Sequence, residues 1–231
     1  MTRRWFHAPL LVALAVVAGG IVSCGGSDDP DPAMSVDANG SSTFDPGQLT
    51  TQLSTLPLSA LSTAESDSLA FMREEEQLAH DVYAVSATLW TVPVFANISA
   101  SEATHSAAVK ALLDRYQRAD PLAGLPNGSF KSPAFQSLYA ALVAASRISQ
   151  VEGLKVGAQI EELDMRDIVA QKAGIDNADI LMVYDNLLRG SRNHLRAFMK
   201  VLTQAGGTYV PQYISQAEFD AIVNSPFENG P

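Results

Sequence analysis

The chain has one cysteine, Cys24, in 231 residues. That excludes an internal disulfide, a thiolate-ligated iron–sulfur cluster and a cysteine-rich structural zinc site. Basic residues are also scarce: 15 Lys and Arg face 25 Asp and Glu, for a net charge of −10. No Lys/Arg-rich run offsets this, so a nucleic-acid partner is excluded on charge. No apolar run reaches the roughly 18 residues of a transmembrane helix. The longest, Leu10–Val22, has 13. No alternating strand pattern of useful length occurs either.

What is present begins with an export pattern. Arg3 and Arg4 precede the apolar run, as in a signal peptide. The run ends in Ile21-Val22-Ser23-Cys24-Gly25, which resembles the lipobox of bacterial lipoproteins. The resemblance implies cleavage before Cys24, lipid on its sulfur, and a protein anchored to the cell envelope on its periplasmic or extracellular face. A lone cysteine suits that role, and the alternative is a plain secretory signal followed by a stray thiol. Processing would leave 13 basic and 25 acidic residues, a charge of −12. Residues 1–23 are thus expected to be a lipoprotein signal and 24–60 a flexible tether. The composition of "GGSDDPDPAMSVDANGSSTFDPGQ" offers too little apolar surface to offset ordering entropy. The Leu- and Ser/Thr-rich stretch up to about Thr63 begins to pack on the domain, which is expected to occupy 61–231.

From Ser66 the periodicity is helical. Four long helices are predicted: A over 66–91, B over 98–118, C over 150–173 and D over 177–204. "PLAGLPNGSFKSP" is a loop, a shorter helix covers 134–147, and a last one starts near Ser215. The predicted fold class is all-α: a four-helix bundle with a long B-to-C crossover that contains an extra helix, as in ferritin-like folds.

An α-helix turns about 100° per residue, which places each polar side chain against its apolar stripe. On helix D, His194 lies within about 40° of Ile180, Val183, Leu187, Phe198 and Val201. Arg189, Arg192, Arg196 and Lys200 fall opposite, on an expected solvated face. Glu102 and His105 share the apolar stripe of helix B. Glu76 shares that of helix A with Met72, Ala79 and Tyr83. Glu161 and Asp164 follow Leu154 on helix C. Each of these has a bland explanation alone, a hydrogen-bonded core histidine or a solvated acid. Together, four helices turn acids or imidazoles inward, and buried charges are normally paired or metal-bound. A mutually neutralising Glu/His network is the metal-free alternative.

Glu76, Glu102, His105, Glu161, Asp164 and His194 are therefore the candidate metal ligands. Carboxylates with imidazoles suit iron, manganese or zinc. Four negative charges would balance two divalent ions; two iron ions, with manganese or zinc as alternatives, are one such cofactor. Glu75 and Glu162, beside the chosen acids, are reserve ligands. His80, one turn after Glu76, is within reach of the same region.

These segments resemble a known superfamily. "EQLAHDVY" (Glu76–Tyr83) is similar to the first-helix Glu-x-x-Ala-x-x-x-Tyr line of ferritins and rubrerythrins. "EATH" (Glu102–His105) resembles their second-helix Glu-x-x-His. "GAQIEELD" (Gly157–Asp164) resembles the third-helix segment, and "GSRNHLRAF" (Gly190–Phe198) the fourth. The stretch from about 65 to 215 further resembles a family of bacterial ferritin-like domains of unknown function, often exported. Its hallmarks are "FMREEEQLAHDVY", "NISASEATH" and "NLLRGSRNHLRAF". The resemblance implies redox work at a metal pair: oxidation of ferrous iron, or reduction of peroxide or oxygen. Glu76, Glu102 and Glu161 would bind or bridge the ions, and His105 and His194 would cap one each. Tyr83 and Tyr116 would pack the core, hydrogen-bond a ligand carboxylate or supply an electron. One departure stands out. Fourth helices of this class carry Glu-x-x-His, but Ser191 stands three before His194, so Asp164 is the candidate replacement. The competing reading is a metal-binding or structural module without turnover that serves an envelope partner. A homodimer fits either reading, the electron donor is open, and a tethered chain fits poorly with a closed iron-storage shell.

Overall fold

The structure is a computed structural model and describes residues 32–229. The signal segment, Cys24 and the first residues of the expected tether lie outside the described residues. Within them the fold is all-α but for one small hairpin. Strands β1 (Met34–Val36) and β2 (Ser42–Phe44) pair antiparallel, Met34 opposite Phe44 and Val36 opposite Ser42. Seven helices follow: α1 (Pro46–Thr55), α2 (Thr63–Leu89), α3 (Pro93–Arg115), α4 (Pro133–Ser146), α5 (Gln150–Lys172), α6 (Ala178–Gln204) and α7 (Gln216–Val223). No helix among the described residues is long and apolar enough to cross a membrane.

Local chemistry explains where the helices start. Ser62 and Glu65 form a reciprocal capping box at α2. Ser132, Ser149 and Ser215 cap α4, α5 and α7 through their side chains. Pro46, Pro93 and Pro133 occupy first-turn positions, where a missing N–H costs nothing. Pro93 therefore opens α3, five residues before the expected start of helix B.

Two apolar clusters sandwich a polar layer. One holds Tyr83, Phe95, Leu154 and Phe198, and the other Leu69, Met72, Leu112, Ile168 and Leu187. On α2 and α6 the chain meets the second cluster first, and on α3 and α5 it meets the first cluster first. So α2 runs parallel to α6, and α3 parallel to α5 in the opposite sense. Because α3 and α5 share a direction, residues 116–149 must return along the molecule. That connection is fastened to α2: Arg73 binds Asp120 (3.2 and 3.3 Å), Asp81 accepts from the Gly128 N–H (2.6 Å), and Glu74 accepts from the Ser132 N–H (2.9 Å). α4 lies in it, against α2 and α5.

Two expectations are corrected. The flexible tether does not extend through residue 60. From Ala33 the chain is packed: Met34, Phe44, Leu49 and Leu53 are buried in the second cluster. Asp37 closes the hairpin turn by accepting from the N–H groups of Asn39 and Ser41, and Gly40 takes a positive φ of 87°. Nor is the basic face of α6 solvated throughout. Arg189 and Arg196 are buried, because the hairpin and the C-terminal segment cover them. Arg189 donates to the Met34 carbonyl, and Arg196 donates to the Ile222 carbonyl, Ser225, Asn193 and Glu228.

Candidate metal centre

The polar layer brings five of the six candidates into direct register. Glu102 lies at its middle. Its Oε2 is 2.9 Å from His105 Nδ1, and its Oε1 is 2.7 Å from His194 Nδ1. Glu76 Oε2 adds a second acid beside His105 Nδ1 at 3.4 Å. Glu161 Oε2 does the same for His194 Nδ1 at 3.5 Å. The imidazoles stack, with centroids 5.2 Å apart and planes 14° from parallel. The result is two half-sites, each with one imidazole and one terminal carboxylate, joined by the two oxygens of Glu102.

Distance and direction disagree here in an informative way. The carboxylate oxygens are close, yet neither Nδ1 is aligned for a hydrogen bond to any of them. Glu76 Oε1 and Asp164 Oδ1 are also buried without partners. Donor atoms of Glu102, His105 and His194 lie within 4.8 Å of one another. A buried polar network is stable when each member is satisfied, and this one is not. Ring nitrogens and carboxylate oxygens that converge without hydrogen-bond partners are a donor set suited to a metal ion once their protons leave. Glu102, His105 and His194 could hold one.

The surroundings hold the ligands in place. Ser42 Oγ lies 2.8 Å from His105 Nε2 and 2.9 Å from His194 Nε2. When both Nε2 atoms carry protons, the hydroxyl accepts from both and leaves both Nδ1 atoms turned to the centre. Tyr83 donates to Glu161 Oε1 at 2.6 Å. Ser191 donates to Asp164 Oδ2. So the serine standing where a fourth-helix acid was expected steadies an acid from α5. Phe44 stands edge-on to His105, centroids 5.7 Å apart.

Electrostatics follow from burial. Every candidate ligand is between 0% and 6% exposed. Burial pushes Glu76, Glu161 and Asp164 above the usual carboxylate range, and neighbouring acids add to it. Glu102 behaves oppositely: burial disfavours its charge, but His194 and His105 together hold it well below that range. Burial also disfavours charge on the imidazoles, but the acids outweigh it and raise His105 to about 9 and His194 to about 10. Without metal, the cluster keeps its protons on the imidazoles and outer acids.

The family described as an uncharacterized protein domain, DUF2202, matches residues 65–226. The chain belongs to this family. Its sequence is similar to uncharacterized protein MJ0754 of Methanocaldococcus jannaschii, 46% identical over 178 residues, which cover 77% of this chain and 96% of that protein. The crystal structure of hypothetical protein MJ0754 from Methanococcus jannaschii is similar in fold, with a TM-score of 0.73 at 46% identity, over 75% of this chain and 99% of that one.

All six candidate ligands fall inside the DUF2202 stretch, whereas Ser42 and Phe44 lie before it. Sequence reasoning missed both, because each depends on a hairpin that composition assigned to the tether. Glu162, His80 and Tyr116 are used elsewhere. Glu162 Oε2 accepts from the N–H groups of Gln212 and Tyr213 (2.7 and 2.8 Å), pinning the C-terminal segment. His80 is half-buried and bonded to Ser99 (2.8 Å to its carbonyl). Tyr116 donates to Asp179 at 2.7 Å and serves the second apolar cluster. Glu75 is buried without a hydrogen-bond partner.

Proposed function

We propose that this chain is a ferritin-like di-metal protein, with two iron ions as the first choice and manganese or zinc as alternatives. The observation that carries the reading is the pair of unpartnered Nδ1 atoms facing the two oxygens of one carboxylate. Glu76, Glu102 and His105 would hold one ion, and Glu161, Glu102 and His194 the other. Asp164 would supply the fourth negative charge, balancing two divalent ions. The paired directions of α2 with α6 and α3 with α5, with α4 in the long connection, support the ferritin-like reading.

A bound pair of redox-active ions would supply one-electron steps for oxidising ferrous iron or reducing peroxide or oxygen. The chain's own contribution is positional. Ser42 fixes the imidazole faces, Tyr83 and Ser191 steady Glu161 and Asp164, and two apolar clusters keep bulk water from the layer. On the strength of the sequence around Cys24, the reading includes a lipid anchor in the cell envelope. A homodimer and a separate electron donor belong to it on the same footing.

One observation favours a second reading. Ligands no more than 6% exposed describe a closed site, and closed sites are typical of structural metals. A metal-stabilised module without turnover would then serve a binding partner. Elemental analysis of the purified full chain separates the outcomes. About two ions per chain, lost in both Glu102→Ala and His194→Ala, is expected from the donor set. No bound metal after anaerobic loading with ferrous iron would sink both metal readings. Turnover of ferrous iron or peroxide by the loaded protein would then decide between catalyst and module.

A further inference from the structure

Glu75 differs from every other acid in the core. It is 3% exposed, and neither carboxylate oxygen has a hydrogen-bond partner. Its neighbours on both sides are committed: Glu74 accepts from the Ser132 N–H, and Glu76 faces His105. One residue along a helix turns the side chain about 100°. Glu75 therefore points away from the imidazoles, toward α5. There it lines a cleft of about 410 Å³ between α2, α4 and α5, with Asp67, Arg166 and Asp167 among its polar walls. Arg166 does not neutralise Glu75 by pairing, since its guanidinium is bidentate on Asp167 (2.8 Å twice) and stacks on Tyr213 at 4.9 Å. Asp167 keeps 16% of its side chain exposed at the rim. Asp164 and Asp167 lie one turn apart on α5, and Glu75 shares the cleft with Asp167 and directly precedes Glu76 on α2, so it stands between the rim acid and the inner acids.

A buried carboxyl without a full set of partners is costly, and none of the metal ligands is more than 6% exposed. We infer that this cleft is the entrance for divalent cations, and that Asp167, Glu75 and Asp164 pass them inward to the cluster. The inference rests on the metal reading above and adds a route to it. A cation leaving water at the rim meets oxygen donors in succession, which replace its lost hydration as it crosses the helix layer. Apolar walls from Phe71 and Phe135 leave the acids as the polar path.

The test is the rate of metal uptake by the full metal-free chain in detergent. Cobalt(II) serves as a coloured probe in stopped-flow mixing, and ferrous iron is loaded anaerobically beside it. Glu75→Gln is expected to slow uptake about tenfold or more, the scale on which focused charge alters on-rates, while final stoichiometry matches wild type. Asp167→Asn at the rim should slow it less, Glu75→Asp should restore much of the rate, and Asp114→Asn on the exposed face of α3 should change nothing. Circular dichroism and thermal midpoints verify folding of each variant. Wild-type uptake rates in Glu75→Gln, or in Asp167→Asn should the first variant fail to fold, would overturn the entrance and leave the metal reading standing. Loss of a bound ion at equilibrium in Glu75→Gln would overturn it too, by making Glu75 a ligand. A wild-type chain that takes up no metal would overturn both.

Discussion

Ser42 shows how much one hydroxyl can control. It touches both imidazoles on the atoms that face away from the centre. Its loss leaves two buried ring nitrogens without a partner and frees both rings to turn. Ser42→Ala is expected to lower metal affinity about 10- to 100-fold, as outer-shell substitutions do, while circular dichroism stays unchanged. A competition titration against a chelator reads this directly, and an unchanged affinity would remove Ser42 from the centre. Gly190 makes a second test at this scale. It is helical, so alanine would normally gain about 1 kcal/mol there from propensity. An added Cβ, however, would lie 2.6 Å from His105 Cε1 and 2.9 Å from Ser42 Oγ. The ring cannot yield without leaving Glu102. Gly190→Ala should therefore lower both the thermal midpoint and the metal content. A more stable variant with full metal content would show that the ring has room to move. The glutamates and histidines were legible in the sequence because helical geometry puts them on apolar stripes. Glycine 190 and serine 42 were not, since each matters through a contact more than 60 residues away in the chain.

At the scale of elements, legibility tracked how local the determinants are. Serine caps, first-turn prolines and apolar stripes lie within a few residues of the helix they specify. Six of the seven helices were accordingly readable from pattern. The hairpin was not. Its strands have three residues each, and their stability comes from α3 and α6: Ser101 Oγ accepts from the Ser42 N–H, Thr104 Oγ1 from the Phe44 N–H, and the Met34 carbonyl from Arg189. Composition cannot report such docking, and the Gly, Ser and Asp content suggested a linker instead. The C-terminal segment misled for the same reason, because the residues that cover α6 lie 26 to 36 positions downstream. Arg196 is the rivet: it donates to the Ile222 carbonyl in the last turn of α7 and to Ser225 and Glu228 beyond it. Arg196→Ala should release residues 216–228, seen as faster limited proteolysis near α7, with the metal centre intact. Protection equal to wild type would mean that Arg192 and the apolar contacts of Phe219 suffice.

For the whole molecule, proton and metal compete for the same donors, which makes stability a function of pH with opposite trends in the two states. In the metal-free chain the histidines bind protons more tightly folded than unfolded, at about 9 and 10 against an ordinary imidazole value of 6.5. Their contribution is full below pH 6.5 and is lost as pH rises through 9 and 10. Glu76 and Glu161 are also raised by burial, from an ordinary carboxyl value of 4.5. Their neutral forms favour the fold at low pH and add to the loss as pH climbs. Glu102 is lowered, so its share is present above 4.5 and disappears only in strong acid. The metal-free midpoint should thus fall from pH 6.5 toward pH 10. Metal loading must first displace the imidazole and carboxylate protons, so its stabilisation grows as pH rises. The gap between loaded and metal-free midpoints should widen steadily from pH 6 to pH 9. Calorimetric titrations in buffers of different ionisation enthalpy should show protons released per ion bound. A constant gap with no proton release would mean that the ions bind somewhere other than the histidine–glutamate layer. A gap of zero at every pH would mean that the acids and imidazoles serve only each other.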